Sequence, residues 1–383
     1  MPVTLTPAQL RARHTMKWTR HGPEILPLWV AEMDFATCPA VGEAVREAAA
    51  REVFGYETRD GRLARATAAW CERRYGWSVD PARIREIPDV LRGVELVINH
   101  FTTPGSDIVL PVPAYMPFFD VLHLTGRRGV YVPMLRDGAA YHFDLEAIED
   151  AFRRGAGGII VCNPYNPIGA VFSAQELHAV CALAERYGAR VVSDEIHATL
   201  VYDGRHVPTA SVSDVAAEVT ITLLASSKGF NTPGLKCAQL VFSHDRDLRV
   251  LAQVNRMVMH GASTLGIEAS IAAYERGEPW LDELLAYLRG NRDYLVGALS
   301  AAVPGIGYVP PAATYLAWLD FTGVDALKGE DPSAWLLHHA KVSVNPGPAF
   351  GPGGEHHTRL NFGTSRAILS ECVERMSEAI ACA

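Results

Sequence analysis

Residues 158–197 read GIIVCNPYNPIGAVFSAQELHAVCALAERYGARVVSDEIH. The segment opens on a short apolar, β-branched run, 158–162, of the kind that forms a buried strand. Its period then changes. Ser173 and Glu176 make a capping-box pair. Leu177, Val180, Cys181 and Ala184 follow at i, i+3, i+4 and i+7, one apolar helical stripe. Gly188 supplies a helix stop, and residues 190–193 form a second strand that ends at Asp194. Strand, helix, strand in this order predicts a crossover between parallel neighbours of one sheet. Two more strands flank the unit, at 107–110 and at 219–225, so an α/β domain is expected.

The rest of the chain limits the alternatives. Its 383 residues suit one large domain with a smaller one. With 49% hydrophobic and 20% charged residues, the composition is that of a globular protein. The formal net charge is -8 and there is no long basic run, which argues against a nucleic-acid partner. No apolar stretch is long enough to span a membrane, and the N-terminus, MPVTLTPAQLRAR, lacks the apolar core of a signal peptide. The seven cysteines are scattered without a C-x-x-C pair, which points to a reducing, cytoplasmic setting and away from a thiolate metal site. No metal is expected from the histidines either: His338-His339 and His356-His357 are adjacent pairs, not ligand pairs one turn apart.

Ligands of open α/β sheets bind beyond the carboxyl ends of the strands, so the residues after each strand matter most. Tyr115 follows the first, in PVPAYMPF. Asn163 and Asn166 follow the second, in NPYNPIG. The third ends at Asp194, then Glu195 and His197; the fourth ends at Ser226-Ser227-Lys228. Each has a plain structural reading. Tyr115 can be a core aromatic, Asn166 a turn residue, Asp194 a helix cap, and Lys228 a snorkelling edge lysine. Together they match the needs of one cofactor, pyridoxal 5'-phosphate (PLP). It takes a lysine amine as a Schiff base and an acid at its ring nitrogen. Asp194 suits that acid, Asn166 the ring's phenolate oxygen, and Tyr115 its flat face. Its phosphate needs N–H groups and a cation at a helix start. Asp89-Val90-Leu91-Arg92-Gly93 supplies one such segment; Ser226, Ser227 and Lys236 supply another.

These motifs resemble the fold-type I PLP enzymes, the aspartate aminotransferase superfamily. NPYNPIG is similar to the family's N-P-x-N-P-T-G, SDEIH to its strand-end D-E, SSKGFNTPGLK to its S-x-K segment, and HTRLNFG (357–363) to its C-terminal arginine segment. KWTRHGPEILPLWVAEMDFATCP (17–39), VFGY (53–56), GEPWLDELLAYL and TYLAWLD resemble one subgroup, the MalY/PatB-type C–S lyases, or cystathionine beta-lyases. The order of segments along the chain predicts a large domain, 45–280, and a smaller one from residues 1–44 and 281–383. The resemblance implies a mostly parallel seven-stranded central sheet with helices on both faces in the large domain and an α+β fold in the smaller one.

It further implies that Lys228 is the Schiff-base lysine, Asp194 the ring-nitrogen partner, and Tyr115 the ring's stacking surface. Asn166 and His197 lie at the phenolate, and Val90, Leu91, Ser226, Ser227 and Lys236 at the phosphate. Arg359 pairs with the substrate α-carboxylate, with Trp29, Val30, Asn166 and Tyr315 beside the substrate. Tyr56 reaches the active site of a neighbouring subunit, which implies a homodimer with shared sites. The chain departs from the family at Ile168 (usually threonine), Ala225 (often serine), Glu32 (often aspartate in the subgroup), Lys236 (often arginine) and Arg92. The implied activity is β-elimination from a cysteine thioether or S-conjugate. Transamination, oxygen-dependent decarboxylating deamination, and a non-catalytic regulatory binder are the alternatives.

Overall fold

The computed structural model describes residues 2–58 and 60–383. Seven strands form the main sheet: β1 (Ile84–Ile87), β2 (Ile108–Val112), β3 (Gly129–Pro133), β4 (Gly158–Cys162), β5 (Arg190–Asp194), β6 (Thr220–Leu224) and β7 (Ala238–Phe242). Their spatial order is β1-β7-β6-β5-β4-β2-β3. The run from β6 to β3 is parallel; β7 and β1 each pair antiparallel with their neighbours. Every residue of β2 and of β4 through β7 is buried. Strands covered on both faces lose the regular polar alternation, which fits the apolar runs of β2 (IVLPV) and β4 (GIIVC).

Five helices matter for the site: α1 (Arg62–Tyr75), α2 (Val90–Phe101), α3 (Ala174–Arg186), α4 (Thr264–Arg276) and α5 (Glu278–Ala302). The crossover helix α3 forms as its sequence dictates. Both bonds of the Ser173/Glu176 capping box are made, and the four stripe residues are fully buried. Gly188 ends the turn at φ +68°, a conformation that glycine adopts without strain. Two expected strand boundaries shift. Val219 closes a short helix, Asp214–Val219, because Ser213 caps it by accepting from the Ala216 N–H. Asp107 stays outside β2 and binds Arg128 instead, at 3.0 Å from Nε.

A smaller antiparallel sheet follows: β8 (Gly307–Tyr308), β9 (Leu316–Asp320), β10 (Asn345–Pro346) and β11 (His357–Asn361), in the order β8-β9-β11-β10. Its register sets Trp318 and Asn345 on either side of Arg359. The chain's beginning reaches this sheet through residues 29–34, which run over the main sheet's strand ends as a strap. Asn361 Nδ2 donates to the carbonyls of Val30 (2.6 Å) and Glu32 (2.7 Å). Asn231 clamps both the N–H and the carbonyl of Met33 at 2.8 Å. Asp34 is buried with Lys17 Nζ at 2.7 Å and Trp18 Nε1 at 2.8 Å. The Lys-Trp and Met-Asp-Phe parts of the opening motif are therefore two halves of one buried contact.

Candidate active site

The carboxyl ends of β4, β5 and β6, the turn after β2, and the near ends of β1 and β7 border one cavity of about 170 Å³. This follows from topology: β7 and β1 run antiparallel, so the entry to β7 and the exit of β1 lie at the same edge as the exits of β4, β5 and β6. β1 delivers Pro88 through Leu91, β4 delivers Cys162 and Asn166, and β5 delivers Asp194 and His197. β6 delivers Ser227 and Lys228, and the approach to β7 delivers Lys236. Tyr115, from the turn after β2, completes the wall.

Lys228 Nζ donates to the Ala31 carbonyl at 2.9 Å, and the Tyr315 hydroxyl donates to the same oxygen at 3.0 Å. Burial, and then the Arg359 guanidinium, lower the lysine pKa to about 8. Asp194 accepts one bond, from the Ile196 N–H at 3.0 Å. Burial raises its pKa to about 7, with Glu195 adding to the effect and Lys228 opposing it. In the protein alone, desolvation outweighs the opposing effect of Lys228. His197 is buried with Nδ1 unpartnered, and burial holds its pKa well below the usual value.

Arg359 is 2% exposed and has no carboxylate partner among the described residues, so it is no surface ion pair. It donates to Asn166 Oδ1 (3.0 Å), Asn345 Oδ1 (2.6 Å) and the Trp29 carbonyl (3.0 Å), and lies 5.1 Å over Phe350. Its Nε is unpartnered, and burial lowers its pKa to about 10. A guanidinium's planar fork is complementary to a carboxylate, and here it is held only by neutral acceptors.

Not every expected residue faces the cavity. Ser226 does not: it is buried, and its hydroxyl meets that of Ser270 at 3.0 Å, so its phosphate role is withdrawn. Trp29 and Val30 contribute carbonyls rather than side chains; the Trp29 ring instead lies under Arg20, 4.5 Å away. Arg92 pairs with Glu95 at 2.6 Å on the exposed side of α2. Ile168 packs beside Trp318 and His357, away from the cavity. Tyr56 is 92% exposed and lies outside this chain's own cavity. Sequence reasoning missed three contributors. Ala31 holds the lysine by a backbone atom, which carries no residue signature. Asn345 sits on a two-residue edge strand whose register is not legible in sequence. Asp89 was read only as part of a phosphate segment, yet it caps α2 through the Arg92 N–H (2.9 Å) and holds Lys236 Nζ at 3.0 Å.

These features fit PLP. A desolvated carboxylate calls for a cationic ring nitrogen, and the amine of Lys228 is depressed towards its reactive form. The N-terminus of α2 beside Lys236 suits a phosphate. An open, mostly parallel sheet with a lysine and a carboxylate at adjacent strand ends defines a class: enzymes that hold a carbonyl cofactor covalently. The chain belongs to the aminotransferase class I and II family, whose profile matches residues 23–376. It is 44% identical to a cystathionine beta-lyase of Corynebacterium glutamicum, over 97% of this chain and 98% of that one. It is 36% identical to the cystathionine beta-lyase PatB of Bacillus subtilis, over 96% of each chain. A crystal structure from Corynebacterium diphtheriae, assigned as a PLP-dependent beta-cystathionase, superposes with a TM-score of 0.95 at 45% identity, covering 100% of this chain and 99% of that one.

Proposed function

We propose that this protein is a PLP-dependent C–S β-lyase that acts on a cysteine thioether or S-conjugate in the cytoplasm, as a homodimer with shared sites. The reaction is R–S–CH2–CH(NH3+)–COO⁻ plus water, giving the thiol R–SH, pyruvate and ammonium. The site is supported by one observation above all: a buried guanidinium with no carboxylate partner among the described residues stands within electrostatic reach of an amine whose pKa is lowered to about 8. The likeness to cystathionine beta-lyases along 97% of the chain supports the choice of C–S chemistry.

When bound, PLP supplies the electron sink that stabilises charge left at the substrate's α-carbon. Lys228 would hold the cofactor covalently and is the base placed to take the α-proton; a pKa near the working pH suits a general base. Asp194 would hold the proton on the ring nitrogen. Asn166 would donate to the phenolate, with His197 beside it, and Tyr115 would cover the ring's face. The N–H groups at Val90 and Leu91, with Ser227 and Lys236, grip the phosphate. Arg359, oriented by Asn166 and Asn345, binds the α-carboxylate. The strap carrying Trp29, Val30 and Ala31, together with Tyr315, closes over the substrate and excludes water. Tyr56 completes the site of the neighbouring subunit.

Incubation with cystathionine, cystine and larger cysteine thioethers, scored for pyruvate and free thiol, tests this reading. Stoichiometric release of both is expected. Amino-group transfer to an added keto acid without thiol release would replace it with transamination.

A further inference from the structure

The cup proposed for the cofactor's phosphate contains a carboxylate. Asp89 lines the cavity together with Val90, Leu91, Ser227 and Lys236. Its Oδ2 lies 3.0 Å from Lys236 Nζ, and its Oδ1 accepts from the Arg92 N–H at 2.9 Å as the cap of α2. The two cationic features of the cup, the lysine and the helix start, are therefore both in contact with one negative side chain. Among the described residues that line the cavity, Lys228 is the only other lysine or arginine. Arg92 is committed elsewhere, to Glu95 at 2.6 Å.

Both partners are rooted. Lys236 stands at φ +49°, a left-handed conformation that glycine adopts at less cost than a residue with a side chain. Its carbonyl accepts from the Ser263 N–H at 2.8 Å, which fixes the start of the side chain. Asp89 is fixed by its capping bond. The pair is partly exposed, 58% at Lys236 and 39% at Asp89, so it adds little to the stability of the fold. Its effect falls on what binds there. An ammonium has three donors, so Lys236 can hold Asp89 and a phosphate oxygen together. The carboxylate then stands beside the phosphate, and like charges so placed oppose binding.

We propose that Asp89 sets how tightly the cofactor is held: its carboxylate weakens the grip on the phosphate and leaves the covalent bond to Lys228 as the main anchor. This rests on the PLP-site reading above. It has a chemical consequence. When a substrate's amino group passes to the cofactor, amino acid and PLP become keto acid and pyridoxamine 5'-phosphate; the substrate carbon is oxidised and the cofactor carbon reduced. That amine form has no carbonyl for Lys228 and keeps only its ring and phosphate contacts. A cup near neutrality lets it leave, and PLP takes its place. β-Elimination does not turn the amine form back into the aldehyde, so release and replacement restore a lyase after stray transamination.

Titration of the full chain, stripped of cofactor, with PLP and with pyridoxamine 5'-phosphate tests this, read by tryptophan fluorescence quenching. Wild type should hold PLP about tenfold or more tighter than the amine form. Asp89→Asn removes the charge and keeps the cap, since asparagine caps as well as aspartate. It should tighten the amine form by about threefold or more. Asp89→Ser, a second neutral cap, should show the same gain, and Lys236→Met should show a loss. Equal affinity of wild type for the two forms, or unchanged or weaker binding of the amine form in both Asp89 variants, overturns the proposal. The lyase reading would survive either result, because pyruvate and thiol release are scored separately. Failure of wild type to bind PLP overturns both.

Discussion

Arg359 donates to two amide oxygens and a carbonyl, none of them charged, although it is almost fully buried. Among the described residues its charge meets only neutral acceptors, which suits the substrate role proposed for it. Arg359→Lys keeps the charge but loses the planar fork, so we expect KM for the amino acid to rise by roughly 10-fold or more, with kcat less affected. An unchanged KM would remove Arg359 from the substrate site. Asp194 makes a prediction about pH. Its folded-state pKa of about 7 lies above the ordinary 3.8, so the cofactor-free fold binds more protons than the unfolded chain between those values. Stability is then present at low pH and is lost as pH rises through that window. Thermal melts of cofactor-free wild type should fall relative to Asp194→Asn from about pH 4 to pH 7, and PLP, by supplying a cation, should narrow the gap. Parallel melting curves in the absence of cofactor would sink the idea. Lys228→Ala should abolish turnover and leave no cofactor mass on the peptide containing residue 228 after borohydride treatment. At this scale the types of the key residues were legible, but not their directions. Ser226 and Ser227 are neighbours, yet only Ser227 lines the cavity, because the turn after β6 sends the Ser226 hydroxyl to Ser270.

The strap at residues 29–34 is the least regular element and one of the most strongly held. Lys17 and Asp34 are both buried, and breaking one partner of a buried pair costs about 3–5 kcal/mol. Asp34→Ala should therefore lose stability on that order in urea unfolding, and Lys17→Met combined with Asp34→Leu should recover part of it. Equal stability of wild type and Asp34→Ala would show that the pair anchors nothing. Regular elements were easier to read. The stripe and capping box of α3 lie within a few residues of one another, so local sequence contains the whole signal. The strap has no period; its partners Asn231, Tyr315, Arg359 and Asn361 lie some 200 residues or more away.

For the whole molecule, we propose a division at residues 45–280 against 1–44 with 281–383, the 25-residue α5 joining the two parts. Phe54 (66% exposed) and Tyr56 (92%) form an apolar outcrop on one chain, as a subunit contact requires. If Tyr56 completes the neighbouring site, Lys228→Ala and Tyr56→Ala homodimers, each impaired, should regain activity when mixed and allowed to exchange subunits. In each hybrid, one site carries both intact residues. No recovery despite verified exchange would refute shared sites.

By itself the sequence determined the crossover unit, the strand-end chemistry and the family, because these depend on local periodicity and on residues that leave a strand in fixed order. Only the tertiary structure decided that the Ala31 carbonyl holds Lys228, that Asn345 and Asn166 orient Arg359, and that burial raises the pKa of Asp194. Those properties arise from desolvation and from contacts between distant segments, and a linear string of residues encodes neither until the chain has closed on itself.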